Sequence, residues 1–209
     1  TLGLTGQAGF SSQMGKNEAF NHAGNFTTAV IAGGIAWRWG IGGIFILMAS
    51  TMLLTLLALA AIRRNDIDND RARGLETTDS PRIPDFSVLS KNRALLITGL
   101  TLLLFHLANA ALLPMLSMRI AAAPGAINPG LYAAATVIIS QAVMIPVAIW
   151  SVGRIDKYGY WRLIMLALLI MPVRAALAAS TAAPWMMVPV QILDGFAAGI
   201  LGVVIPSFI

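Results

Sequence analysis

Apolar residues run through this chain in long continuous stretches, and the polar residues fall between them. Runs cover residues 1–14, 17–37, 40–62, 94–116, 130–152, 161–180 and 185–208. A helix needs roughly 20 mostly apolar residues to cross a hydrocarbon core about 30 Å thick. Strands closing into a barrel would instead alternate over segments of about ten residues. Unbroken runs of this length therefore predict an all-α, polytopic transmembrane helical bundle of about seven segments. The first run is short and reads as the tail of a helix whose beginning is missing. The second has a polar first half. Turn signals fill the gaps: Pro124-Gly125 and Asn128-Pro129 in one, and a tight polar turn over residues 153–160 in another.

Composition agrees with lipid as the solvent. Hydrophobic types make up 57% of the 209 residues and charged types 11%, with a mean hydropathy of +0.78. Soluble domains carry about 25% charged residues. Disorder is excluded, since it needs low hydrophobicity and high charge. With no Cys, disulfide scaffolds, thiolate zinc sites and Cys nucleophiles are excluded too. The opening residues also lack the basic head of a signal peptide.

A net charge of +5 would raise nucleic-acid binding in a soluble protein, but here the basic residues sit in loops. On alternate sides of the predicted bundle they divide eleven against two. Lys16, Arg63, Arg64, Arg71, Arg73, Arg82, Lys91, Arg93, Arg154, Lys157 and Arg162 lie on one side, Arg38 and Arg119 on the other. The richer side is expected to be cytoplasmic. Arg174 falls inside a span.

Residues 63–93 are the expected internal boundary, a solvated linker with seven basic and six acidic residues plus Pro81 and Pro84. Asp66, Asp68 and Asp70 alternate like the start of a calcium loop. That loop requires Gly at its sixth position and Glu at its twelfth. Arg71 and Thr77 stand there, so a polar connector is the expectation.

Three features stand together: the charged linker between helix groups, the loop Gly153-Arg-Ile-Asp-Lys-Tyr-Gly-Tyr-Trp-Arg162, and the stretch Met-Gly-Lys-Asn-Glu-Ala-Phe-Asn-His-Ala-Gly-Asn over residues 14–25. In these the chain resembles the major facilitator superfamily of secondary transporters. The resemblance implies an internal fragment covering helices four (partial) through ten of twelve. Residues 1–62 would then end the N-terminal bundle, residues 63–93 would be the cytoplasmic linker, and residues 94–209 would begin the C-terminal bundle. It also implies a permease in the cell (inner) membrane that moves a small solute by alternating access, with a proton or sodium as the candidate coupling ion. In that arrangement helix ten lines the pathway and helix nine is peripheral. The family's Gly-Pro antiporter signature is absent, because Gly33-Gly34 has no Pro beside it.

The loop has a physical reading of its own. Gly159 can take a positive φ and end a helix. Asp156 lies near the incoming helix start, and Arg154, Lys157 and Arg162 would meet lipid headgroups or pair with Asp156. An ordinary positive-inside turn and a conformational latch built on Gly153, Arg154, Asp156, Gly159 and Arg162 are both consistent with it.

Polar groups inside spans are the substrate or coupling candidates. Asp194 lies about ten residues into its run, roughly 15 Å deep at 1.5 Å per residue. A carboxylate there is costly and faces a cavity or a partner. Arg174, on the antiparallel neighbour, is long enough to reach it. Asn17, Asn21, Asn25 and Thr28 share one helix face that lipid would not solvate. His22 is offset from that face and reads as interfacial. His106 and Asn109 are three apart near mid-span, and Gln141 and Ser140 are weaker candidates. Pro114, Pro146, Pro172, Pro189 and Pro206 predict kinks, and the Met residues read as packing rather than metal ligands.

No Gly-x-Ser-x-Gly elbow, His-Glu-x-x-His pair or phosphate-cradling loop is present, so neither an enzyme nor a cofactor is expected. The expected partners are an unidentified small-molecule substrate and the lipid bilayer, not nucleic acid. A receptor or assembly scaffold is the alternative, although it has little need for polar residues in spans. A channel is a third reading, but no charge ring or filter loop is visible.

Overall fold

A computed structural model describes residues 1–40, 42–63, 65, 67–72, 91–122, 128–180 and 183–208. The described elements are α1 (Leu2–Trp39), α2 (Gly42–Ala60), the single turn α3 (Asn69–Ala72), α4 (Arg93–Ala110), α5 (Leu112–Ala122), α6 (Pro129–Tyr158), α7 (Tyr160–Ser180), a 3-10 turn (Pro184–Met186) and α8 (Met187–Phe208). Among the described residues there is no strand, and the fold is an all-α helical bundle. Among the described residues, five helical stretches are long and apolar enough to cross a membrane: Gly42–Ala60, Arg93–Leu116, Gly130–Tyr158, Tyr160–Ser180 and Pro184–Phe208.

The first two predicted segments meet in one helix. No loop forms around Lys16; the break comes earlier, at Gly6 (φ 66°, ψ 179°), in a region open to Gly alone. Ahead of it the chain doubles back, so that Thr1 Oγ1 accepts a hydrogen bond from Asn17 Nδ2 at 2.9 Å. The fourth predicted segment is split between α4 and α5. Pro114 has no N–H to offer Ala110, and its ring crowds that carbonyl. Pro189 lies in the first turn of α8, where a missing N–H costs little. Asn92 and Asn128 cap α4 and α6, each side chain accepting two backbone N–H groups of the first turn.

Most of the expected linker lies outside the described residues, Asp66 included. Within the described part, Asp68 Oδ1 accepts from the N–H groups of Asp70 and Arg71, the geometry of a cap on α3. Asp68 also donates its own N–H to Gly3, docking the turn on the start of α1.

The core lies where α6, α7 and α8 meet, with α1 laid along α6 and α8. Facing residues set the directions. Gly15 lies against Val152, and Gly33 against Ala134, so α1 and α6 are antiparallel. Gly195 faces Ser140, and Gly199 faces Val147, so α6 and α8 run parallel. A Cβ on Gly195 would sit 2.5 Å from the Ser140 carbonyl oxygen, which explains why a small residue lies at this crossing. In contrast, α2 has no buried residue and no charge. Being apolar on every side, it requires hydrocarbon or further helices around it.

Candidate functional site

Two polar clusters lie within the bundle. The first joins α4, α7 and α8. A short connection makes α7 and α8 antiparallel neighbours, and this carries Arg174 Nη1 to 2.9 Å from Asp194 Oδ1. Arg174 is 1% exposed, so its guanidinium is withdrawn from solvent and lipid alike. Asn109, from α4, accepts a hydrogen bond from Arg174 Nη1. Arg174 Nε is buried with no partner among the described residues. One turn before Asp194 the fully buried Gln191 adds an amide whose Nε2 also lacks one. Replacing a buried ion pair with apolar side chains is often neutral or stabilising. Stability alone therefore does not account for two charges here.

His106 does not join this cluster. It is exposed on α4, with its ring edge-on to Phe105 at 5.3 Å. Only Asn109 of that pair turns inward, since a spacing of three leaves side chains about 60° apart around a helix.

The second cluster joins α1 to α6 and α8. His22, expected at the interface, is buried at 7% exposure. Its Nδ1 lies 2.8 Å from Gln141 Oε1 of α6, and its Nε2 lies 3.6 Å from Glu18 Oε2, one turn back on α1. Gly202 of α8 leaves room for the Glu18 carboxylate; a Cβ there would come within 3.2 Å of it. The asparagine face points elsewhere. Asn17 is half-buried and accepts from Gln13 Nε2 at 2.8 Å; Asn21 is exposed and reaches Glu18 Oε2 at 3.3 Å; Asn25 is exposed. Sequence reasoning missed Glu18 and Gln191. The available signal for Glu18 was its place four residues before His22, on the same face.

The loop after α6 turns at Gly159 (φ 75°, ψ 161°), whose N–H bonds Ile155. The Arg154 guanidinium lies 5.5 Å over the Trp150 ring, and the Lys157 ammonium 5.3 Å over Tyr158. Asp156 and Arg162 are exposed, and among the described residues Asp156 makes no ion pair. Gly153 is exposed, with open space where a Cβ would stand.

The family model of the Major Facilitator Superfamily matches residues 7–209. The chain belongs to this superfamily. Two Mycobacterium tuberculosis proteins, from strains CDC 1551 / Oshkosh and ATCC 25618 / H37Rv and each named an uncharacterized MFS-type transporter, are 34% identical to it over 209 residues. The match takes in 99% of this chain and 50% of each relative, so the chain spans about half their length. No solved structure matches it. Membership makes this a multi-pass membrane protein of a transporter family.

Proposed function

We propose that the chain is part of a secondary active transporter that moves a small solute by alternating access, coupled to a proton or sodium gradient. In this reading residues 1–62 close one helix group, residues 63–93 connect the groups on the cytoplasmic side, and residues 94–209 open the second. The observation that carries it is the buried Arg174–Asp194 pair with Asn109 beside it. Charges are kept at such depth where a pathway or a relay uses them. Asp194 is the coupling residue. Held by Arg174 at rest, it exchanges that partner for a proton, a sodium ion or a cationic solute group during the cycle.

The test uses the intact transporter in proteoliposomes with a pH dye inside, challenged in turn with a panel of small solutes and with sodium. At least one solute is expected to evoke a lumenal pH change or a sodium-dependent uptake. Asp194→Asn should abolish accumulation and leave exchange across the membrane largely intact. Normal accumulation by that variant at normal expression removes Asp194 from the coupling.

A further inference from the structure

The Glu18–His22 contact is incomplete as it stands. An amide oxygen only accepts, so a ring nitrogen 2.8 Å from Gln141 Oε1 carries a hydrogen and donates it. In a neutral imidazole the other nitrogen is then an acceptor. Nε2, so assigned, faces the Glu18 carboxylate across 3.6 Å, beyond hydrogen-bond reach and with no partner of its own. Two acceptors face each other: the ring belongs to a His22 that is more than nine-tenths buried, while Glu18 Oε2, at the edge of the seam, also accepts from the exposed Asn21 Nδ2 at 3.3 Å. One added proton turns this opposition into a donor and an acceptor.

We propose that Glu18 and His22 form a proton-binding site on the seam between α1 and α6, separate from Asp194. The ligand is a single proton. It binds Nε2, makes the ring an imidazolium that donates to both Gln141 Oε1 and a Glu18 oxygen, and leaves by the reverse step. No bond other than N–H forms or breaks. The proton closes the Glu18–His22 distance and adds positive charge to the one hydrogen bond by which His22 of α1 holds α6. Occupancy thus strengthens the contact between helices that flank the linker.

Among the described residues no other ionisable side chain forms an ion pair with Glu18 or His22. On α1 itself Lys16 is exposed. Helix α2 carries no ionisable residue, and Asp194, the only one on α8, is engaged with Arg174. On α6, Arg154 is thirteen residues from Gln141, about 20 Å along the axis, with Asp156 and Lys157 beyond it, and Tyr132 lies nine residues the other way, about 13 Å. Beside α3, which docks on Gly3, Asp68 is paired with Arg71 at 3.1 Å, and Asp70 is exposed.

The experiment is 15N-histidine NMR of the intact transporter in lipid nanodiscs, at mildly alkaline and mildly acidic pH, with the His22 signals identified by their loss in His22→Gln. The expected ring holds its one proton on Nδ1 at the alkaline end and gains a second, on Nε2, at the acidic end. Glu18→Gln should remove that gain. Should Glu18→Gln fail to fold, Glu18→Asp gives the same reading, because the side chain, one methylene shorter, holds its carboxylate farther from the ring. A ring that carries its single proton on Nε2 throughout overturns the proposal. So does a protonation response unchanged by Glu18→Gln or Glu18→Asp.

Discussion

The two polar clusters differ in how complete they are. Around Arg174 both charges are present and in contact, a neutral amide braces them, and all three residues follow the linker in sequence. Around His22 the carboxylate stops short of the ring, and the contacting residues come from both sides of the linker. The difference is between a closed strut among helices that follow residue 93 and an open contact between helices that come before residue 63 and after residue 93. Charge compensation in the first is internal, so damage to it should appear as lost stability as well as lost coupling. The second waits for a proton, so damage to it should appear as a lost response.

The largest effect is expected where compensation is broken outright. Asp194→Leu leaves the Arg174 guanidinium buried and unpaired, and Arg174→Met leaves the carboxylate. Each should cost about 3–5 kcal/mol. The double variant should recover most of that, since an apolar pair of similar volume replaces the charges without stranding either. Unfolding of the intact transporter in mixed micelles measures all three. Additive losses in the double variant would show that the charges are not partners, and the contrast between the clusters would collapse.

Next comes Asn109→Leu. Both charges stay paired, but Arg174 loses an acceptor that no water replaces at this burial. Hydrogen bonds to charged groups contribute about 1.5–3 kcal/mol, and the same unfolding assay should find a loss in that range. A loss as large as that of Asp194→Leu would make Asn109, rather than the ion pair, the centre of the strut.

The strut was legible only in part. A lone Asp and a lone Arg inside apolar runs, on helices joined by a few residues, can reach each other, but sequence left an unpaired carboxylate equally open until the fold carried Arg174 to 2.9 Å from Asp194. The helical runs were legible because hydrophobicity changes abruptly at their ends. The seam was not legible. The inward face of α1 runs through Gly15, Glu18, His22 and Gly33, while Phe20 and Trp37 point out. In hydrocarbon the outside of a helix is apolar too, so hydrophobic periodicity no longer marks the inside. The asparagines at 17, 21 and 25 form a regular stripe, but the buried face is set by where glycines permit approach to α6. His22, one residue on from Asn21, is turned by about 100°. That single step separates the exposed Asn21 from the buried His22.

The smallest expected effect is also the one that sharpens the contrast most. Gln141→Leu removes the amide that receives His22 Nδ1 but keeps the volume close. A neutral hydrogen bond contributes about 0.5–1.5 kcal/mol net, so the stability loss at alkaline pH should be of that order. If the ring becomes an imidazolium at acidic pH, the same bond becomes charge-assisted, about twice as strong. A double-mutant cycle of Gln141→Leu with His22→Leu isolates the coupling from the unrelated packing each change disturbs. The coupling energy should therefore be larger at acidic than at alkaline pH. The equivalent cycle of Asn109→Leu with Arg174→Met should not change with pH across the same range, because Arg keeps its charge throughout. Equal coupling at both pH values in the His22 cycle would mean that the ring never gains its second proton, and that the seam is as fixed a contact as the strut.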